Sequence, residues 1–321
     1  PRTYRCLWTL AGKSTAASQG STTEFKGPWK SPTSPLTLPD GIVCVADMGD
    51  CEQCVWYGDK KSWERLDVGK GMSPVSLAFH AKDNVLYVVC MTGHIIKAYE
   101  YHGKCKFVHR NSTSAPPQEY SEWMEAHDQP PPGDAMYLPT GVTVPVVDPS
   151  RIVVTDHRKR VLLLDARTLT VISTFESSIM HPYGVVATGT KVVIADRTES
   201  RLVVFNEADL VTRDKAARLC VTYVGLNGEP YGVTLCNDKL LVALKHTGSN
   251  SGSVAFLWSH NLVQITTTTL GHGNYPWGLS ASYDLHNALV VMDVPSRCSI
   301  VGCERRNACL VDIPKAVGAY L

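Results

Sequence analysis

Short runs of apolar residues separated by polar turns are the dominant pattern of the chain. The runs are rich in Val, Ile and Leu, as at positions 152–154, 192–195 and 240–244. Apolar runs of this length, bounded by Gly, Pro, Asn and Asp, predict strands that are buried on both faces. The pattern therefore predicts an all-β protein.

One sequence motif recurs along the chain: a Pro that opens an apolar strand, a short turn, and a second apolar strand that often ends in Ala-Asp. The opening prolines are Pro35, Pro74, Pro139, Pro182, Pro230 and Pro276. Their spacings are 39, 65, 43, 48 and 46 residues, and the long second spacing contains an insertion. A unit of four short strands cannot bury both faces of its own sheet, whereas units arranged around a common axis cover one another's faces. The repeat predicts a six-bladed β-propeller.

We expect one propeller domain over residues 1–321. The predicted blades span about 34–71, 72–110, 137–178, 180–226, 229–272 and 274–313, with an N-terminal strand at 3–12 and an inserted acidic loop at 111–136. Closure is expected to pair the N- and C-terminal strands, although the apolar run 309–313 competes for the same edge position. The stretch 13–34, rich in Ser, Thr, Gly and Pro, is expected to be a loop.

This motif resembles the repeat of NHL-repeat propellers, as found in TRIM-NHL proteins. In the fourth unit the matching residues are Pro182 and Gly184, Asp196 at the end of the second strand, and Arg201 and Phe205 on the third. The second and fifth units lack the Asp. The resemblance covers roughly residues 34–313. It implies a six-bladed fold, whereas the functions it implies include RNA recognition, secreted binding and lyase activity.

Composition narrows the functional classes. Hydrophobic residues make up 44% and charged residues 19% of the chain, which excludes a disordered protein. Lys and Arg number 31 against 30 Asp and Glu, so no global field attracts nucleic acid or a membrane surface. No apolar run approaches a membrane span, and we expect no membrane insertion. Because the chain begins Pro1-Arg2-Thr3 without a signal-like segment, we expect a processed chain or a fragment.

The eleven cysteines do not decide between a cytoplasmic and a secreted location. Cys44, Cys90 and Cys236 lie in or beside apolar runs, where a free thiol packs as a small hydrophobe. We favour a cytoplasmic location with reduced thiols. The alternative is a secreted, disulfide-bonded binding protein, which would be glycosylated at Asn111.

In a propeller, the loops that lead into the innermost strands and the turns between the second and third strands emerge together. We call this side the turn face. Its expected cations are Arg158, Lys159, Arg160, Arg197, Arg201 and Lys245, and its expected stacking aromatics are Tyr183, Tyr231 and Trp277. Cations that follow phosphates and rings that stack on bases suit single-stranded RNA, and the same residue types suit a protein partner. The plainer alternative is that exposed turns attract cations and that the rings pack between blades.

The expected function is therefore a non-enzymatic recognition module for RNA or a protein partner, with no cofactor and with its oligomeric state left open. Asp156, Asp196 and Asp293 are expected to hold turn amides. The segment 112–136 carries five acids and no Lys or Arg, and we expect it either to cover the basic turn or to be a solvated loop.

An enzymatic alternative rests on two weak metal-ligand candidates, His181 and Glu229. Each precedes the opening Pro of its unit, on consecutive blades, so the pair could face the axis of a metal-dependent hydrolase or lyase. No third candidate ligand occurs at the matching position of another unit. Cys51 and Cys54 form a single Cys-x-x-Cys pair, which is too few ligands for structural zinc.

Overall fold

A computed structural model describes residues 4–8, 23–49, 53–58, 62–114, 135–176, 179–212, 221–248, 251–272, 275–281 and 288–293. Within these ranges the regular structure is antiparallel β-sheet and one short helix. Five sheets have four strands each, which confirms the prediction of an all-β propeller with four-stranded blades.

The strands follow one another in chain order within each blade. The N-terminal pair is β1 (Tyr4–Trp8) and β2 (Thr23–Gly27). Blade 1 contains β3 (Pro32–Thr37), β4 (Val43–Asp47), β5 (Cys54–Gly58) and β6 (Trp63–Asp67). Blade 2 contains β7 (Pro74–His80), β8 (Val85–Cys90), β9 (Ile95–Tyr101) and β10 (Phe107–Ser112). Blade 3 contains β11 (Pro139–Thr143), β12 (Arg151–Asp156), β13 (Arg160–Asp165) and β14 (Val171–Glu176).

Blade 4 contains β15 (Pro182–Ala187), β16 (Lys191–Asp196), β17 (Arg201–Asn206), the helix α1 (Glu207–Thr212) and β18 (Val221–Gly225). Blade 5 contains β19 (Glu229–Cys236), β20 (Lys239–Lys245), β21 (Ser251–Trp258) and β22 (Gln264–His272). The last described sheet pairs β23 (Tyr275–Ala281) with β24 (Ala288–Asp293).

The innermost strands form a closed ring. Strand β3 lies beside β7, and the ring continues through β11, β15, β19 and β23, which returns to β3. Among the described residues five blades are complete with four strands, where the sequence predicted six complete blades; the remaining ring position is held by the two-stranded sheet of β23 and β24. The prediction counted six units because the repeat records the two inner strands of each unit, and six innermost strands do line the axis.

The N-terminal stretch departs from the prediction. Residues 13–34 were expected to be a loop, yet they include β2 and the start of β3, because average composition over this stretch hides a short strand. Strand β1 pairs with β2 and also approaches β24. The predicted closing run 309–313 and most of the acidic loop, 115–134, lie outside the described residues, so closure by paired terminal strands stays a prediction.

Blade 1 opens at Pro32 and not at Pro35. Pro32 lies opposite Asp47 in register, as Pro182 lies opposite Asp196 in blade 4. The sequence misplaced this opening because Pro32 is followed by Thr-Ser, whereas the best-matching units have Pro-x-Gly.

The glycine of Pro-x-Gly allows neighbouring innermost strands to approach one another. A Cβ on Gly184 would lie 2.7 Å from the carbonyl oxygen of Tyr231, and one on Gly232 would lie 2.8 Å from that of Trp277. Both distances are shorter than a Cβ tolerates, and the obstructing atoms belong to the backbone. The repeated glycine is therefore a packing requirement between blades.

Candidate functional site

A buried carboxylate sets the loop that enters blade 4. Asp196 is fully buried at the end of β16 and accepts hydrogen bonds from the backbone N–H groups of Met180 (3.1 Å) and His181 (3.0 Å). The Nε of Arg201 donates to its other oxygen across 3.0 Å. Because a buried charge needs such partners, Asp196 is structural, as predicted.

Blade 3 repeats this arrangement. Asp156 is fully buried and accepts hydrogen bonds from the backbone N–H groups of Tyr137 (2.6 Å) and Arg158 (2.8 Å). The structural role predicted for Asp156 is thus confirmed, whereas the side chain of Asp293 lies outside the described part.

Arg160 is a cation of the interior and not of the turn face. Its guanidinium donates to Asp156 (2.7 Å) and to the carbonyl oxygen of Ala135 (2.8 Å), and the residue is only 3% exposed. This burial argues against the predicted role of Arg160 as a ligand contact. A guanidinium that is buried with its carboxylate partner cannot reach a ligand on the surface.

Two other predicted cations are neutralised at the face. Arg201 is paired with Asp196 and also lies 4.3 Å from the centroid of the Tyr223 ring. Arg197 donates through Nε to Oε2 of Glu229 across 3.0 Å, with about a third of its side chain exposed. The positive arc expected from the sequence is consequently weaker than its count of cations indicates.

Arg158, Lys159 and Lys245 remain as the other predicted cations. The guanidinium of Arg158 lies 4.3 Å from the centroid of the Tyr137 ring, a cation–π geometry. Lys159 is exposed on the turn between β12 and β13, with a left-handed φ of 65°. Lys245 is half-buried at the end of β20. Lys159 is thus the most exposed of the predicted contacts in blade 3.

The three predicted aromatics form one contiguous cluster. Each occupies the position after an opening Pro, and their ring centroids lie 5.1 Å apart for Tyr183 and Tyr231, 4.9 Å for Tyr231 and Trp277, and 6.1 Å for Tyr183 and Trp277. Tyr231 is 5% exposed and its hydroxyl donates to Glu229 at 3.4 Å, so this ring supports the cluster from within. Tyr183 and Trp277 are half-buried and can contact a ligand.

The two metal-ligand candidates have separate partners. The Nδ1 of His181 is hydrogen-bonded to the hydroxyl of Thr198, and Glu229 is paired with Arg197. Among the residues that the structure describes, no group of three or more His, Cys, Asp and Glu side chains is placed to hold a metal ion.

Two histidines of the turn face have pKa values below the usual value near 6.5. Burial lowers the pKa of His94, whose Nδ1 accepts a hydrogen bond from the Leu138 N–H (3.0 Å) and whose ring stacks on Tyr137 at 5.3 Å. Burial, and then the neighbouring His181, lowers the pKa of His157. His94 thus holds Leu138, the residue before the opening Pro of blade 3.

The cysteines follow the burial pattern of the strands. Cys44 and Cys90 are fully buried as free thiols, and Cys236 is buried, as the apolar runs predicted. Burial raises the pKa of Cys90 to about 12. The side-chain amide of Asn111, the residue of the possible glycosylation triplet, donates to the carbonyl oxygen of Arg167 (2.9 Å). In the described part of the chain, no helix has the length and apolar character needed to cross a membrane.

Solved structures of other proteins share this fold. A putative 6-phosphogluconolactonase from Bacteroides fragilis superposes with a TM-score of 0.59 and 11% identity, over 90% of this chain and 87% of the other. A streptogramin B lyase gives a TM-score of 0.54 at 11% identity, over 92% and 96% of the two chains. A chain of the nidogen/laminin complex gives 0.53 at 13% identity, over 82% and 92%.

At these identities the likeness shows the fold alone. The structural neighbours support a propeller of repeated blades and do not distinguish the NHL subtype from other propellers. No protein-family model matches the sequence, and no curated protein matches it significantly.

Proposed function

We propose that the protein is a non-enzymatic recognition module of NHL type that binds a protein partner on its turn face. The observation that carries this proposal is the internal neutralisation of the predicted cations. Arg160, Arg197 and Arg201 each lie within 3.0 Å of a carboxylate oxygen, beside the half-buried rings of Tyr183 and Trp277. A face with aromatic side chains and paired arginines has the composition of a protein-binding hot spot more than that of a polyanion site.

The fold is compatible with such a role. One structural neighbour belongs to the nidogen/laminin complex, so a propeller of this kind occurs in an assembly of two proteins. The NHL-type assignment, with its TRIM-NHL likeness, is supported by the Pro-x-Gly openings and by the buried Asp156 and Asp196 at second-strand ends.

Single-stranded RNA is the second candidate. It is favoured by the exposed Lys159 next to Arg158, which is stacked on Tyr137. A cation next to an aromatic ring is the pairing that follows a phosphate and stacks on a base.

The protein-partner proposal is tested by site-specific photo-crosslinking from position 159 on the turn face. Position 190, an exposed Thr in the turn at the opposite end of blade 4, is the matched control. A partner captured from position 159 and not from position 190 is then purified and titrated against the wild type and Trp277→Ala. We expect Trp277→Ala to weaken binding about tenfold or more, as truncation of an aromatic hot spot does. Equal capture from both positions, or an unchanged dissociation constant, would contradict the proposal.

A random single-stranded RNA pool tests the second candidate at two salt concentrations. Micromolar binding that weakens with salt, and a shallower salt dependence in the double variant Arg158→Ala/Lys159→Ala, would assign RNA to this face. Arg160 is left intact in this variant because its loss would destabilise the fold. An absence of binding at low salt excludes RNA and leaves the protein partner.

A further inference from the structure

The innermost strands enclose a cavity of about 280 Å³ along the axis of the ring. This volume lies near the lower end of the range typical of small-molecule pockets, about 300–1,000 Å³. Strands β3, β7, β11, β15, β19 and β23 all contribute to its wall. None of the described side chains that line it is charged.

Several hydroxyl groups of this wall form hydrogen bonds between blades. Thr33 donates to the carbonyl oxygen of Pro74 (3.1 Å), and Thr140 donates to that of Pro182 (2.7 Å). The hydroxyl oxygen of Thr143 accepts a hydrogen bond from the N–H of Ala187 (3.2 Å). Because these bonds hold neighbouring strands together, the wall offers a ligand fewer polar groups than its residue types indicate.

The wall is asymmetric at the end near the turn face. On one side, Tyr183, Tyr231 and Trp277 pack ring against ring. At the same position of the other three innermost strands, the residues are small: Thr33, Val75 and Thr140. Met48 and Met91 line the cavity as well, and thioethers pack well against aromatic rings. An aromatic wall that continues into small and flexible apolar side chains fits a flat apolar group.

We propose that this channel binds an uncharged, ring-containing, largely apolar small molecule. A carboxylate or phosphate would lose its hydration there without gaining a charged partner from the described wall, whereas an apolar ring gains contact area on every side. The site lies next to the proposed contact with a protein partner and shares the rings of Tyr183 and Trp277 with it. Its occupant is selected by the channel wall and not by the cations of the turn face.

A matched pair of fluorescent probes tests the charge requirement. N-phenyl-1-naphthylamine is neutral, and 8-anilino-1-naphthalenesulfonate carries the same rings with a sulfonate. We expect the native protein to bind the neutral probe at least about tenfold more tightly, because the sulfonate would be desolvated without a charged partner. Equal affinities, or tighter binding of the sulfonate, would overturn the proposal.

Val75→Tyr tests the location. The same position carries Tyr in blades 4 and 5, so the fold accommodates this residue there, and in blade 2 the larger ring would fill the channel. We expect the neutral probe to bind at least about tenfold more weakly, since the ring takes the volume that the probe needs. Lys159→Ala, on the turn face, is expected to leave the affinity for the probe unchanged, even if it lowers the affinity for the protein partner. Unaltered probe binding in Val75→Tyr would contradict a channel site.

A measurement on the wild type keeps the proposal testable if Val75→Tyr does not fold. With methyl-labelled methionine, the bound neutral probe should show nuclear Overhauser effects to Met48 and Met91, which line the cavity. It should show none to Met180, which does not. Effects to Met180 and not to Met48 or Met91 would place the probe elsewhere and refute the inference.

Discussion

Arg197 and Glu229 form an ion pair that joins the turn of blade 4 to the first strand of blade 5 across 3.0 Å. The guanidinium also lies 5.0 Å from the centroid of the Tyr231 ring, so the pair borders the aromatic cluster. The sequence assigned these two residues to different functions, a ligand contact and a candidate metal ligand. Their pairing instead cancels charge where the turn face meets the channel.

Removing the carboxylate of Glu229 should leave the positive charge of Arg197 without its partner. We expect Glu229→Gln to bind a single-stranded polyanion such as poly(U) several-fold more tightly at low salt and to steepen the salt dependence by about one ion, because Arg197 loses its internal partner. Equilibrium titration at two salt concentrations measures both quantities. Glu199→Gln is the control, because it changes the net charge equally at an exposed position of the same turn. Equal gains in both variants would indicate a general charge effect and contradict the role of the pair.

Arg160 and Arg201 occupy the same register position in neighbouring blades, opposite Asp156 and Asp196. Their side chains differ in exposure, 4% against 21%. We expect Arg160→Ala to reduce the free energy of unfolding by about 3–5 kcal/mol, because it leaves Asp156 buried without its cation. Arg201→Ala should cost only about 1–2 kcal/mol, since water replaces part of the interaction. Urea unfolding of both variants checks the difference, and equal losses would contradict it.

Gly184 should not tolerate a side chain. We expect Gly184→Ala to destabilise the protein by about 1–3 kcal/mol, because the new Cβ would meet the backbone of blade 5. Gly225→Ala is the matched control, since a Cβ on this exposed strand residue meets nothing within 4 Å, and its effect should stay within about 0.5 kcal/mol. Thermal and urea unfolding measure both variants. A neutral Gly184→Ala would show that the innermost strands can separate without cost.

Stability should fall in mild acid. Burial lowers the pKa of His94 and His157 from the usual value near 6.5, so below that pH the unfolded chain binds protons that the folded chain does not. The free energy of unfolding therefore decreases as pH falls from 6.5 towards the lower folded-state pKa values, and this contribution is fully present above 6.5. Urea unfolding at pH 7.5 and 5.5 measures the decrease.

His94→Gln should make this decrease smaller, since the glutamine amide can still accept from the Leu138 N–H and does not titrate. His109→Gln, at an exposed position on the outer strand of blade 2, is the control and should leave the decrease unchanged. A decrease in His94→Gln as large as that of the wild type would show that His94 is not responsible.

The repeat could be read from the sequence because it is a local property. Apolar runs, turn residues and the Pro-x-Gly openings recur at fixed spacing, and they predicted four-stranded units arranged around an axis. In blade 4, the apolar run 192–195 lies within β16, and Arg201 and Phe205, which the repeat placed on the third strand, both lie in β17. The sequence analysis missed the helix α1 and the opening of blade 1 at Pro32, because both depart from the repeated motif.

The chemistry of the turn face was decided by tertiary structure. The sequence named nine contact residues, yet it could not show that Arg160 is buried against Ala135 and Asp156 or that Tyr231 lies beneath its neighbours. Exposure and charge pairing depend on distances between blades, and residues of identical local pattern, such as Arg160 and Arg201, differ in both. The sequence by itself therefore determined the propeller and its period, whereas packing between blades decided which cations and rings can reach a ligand.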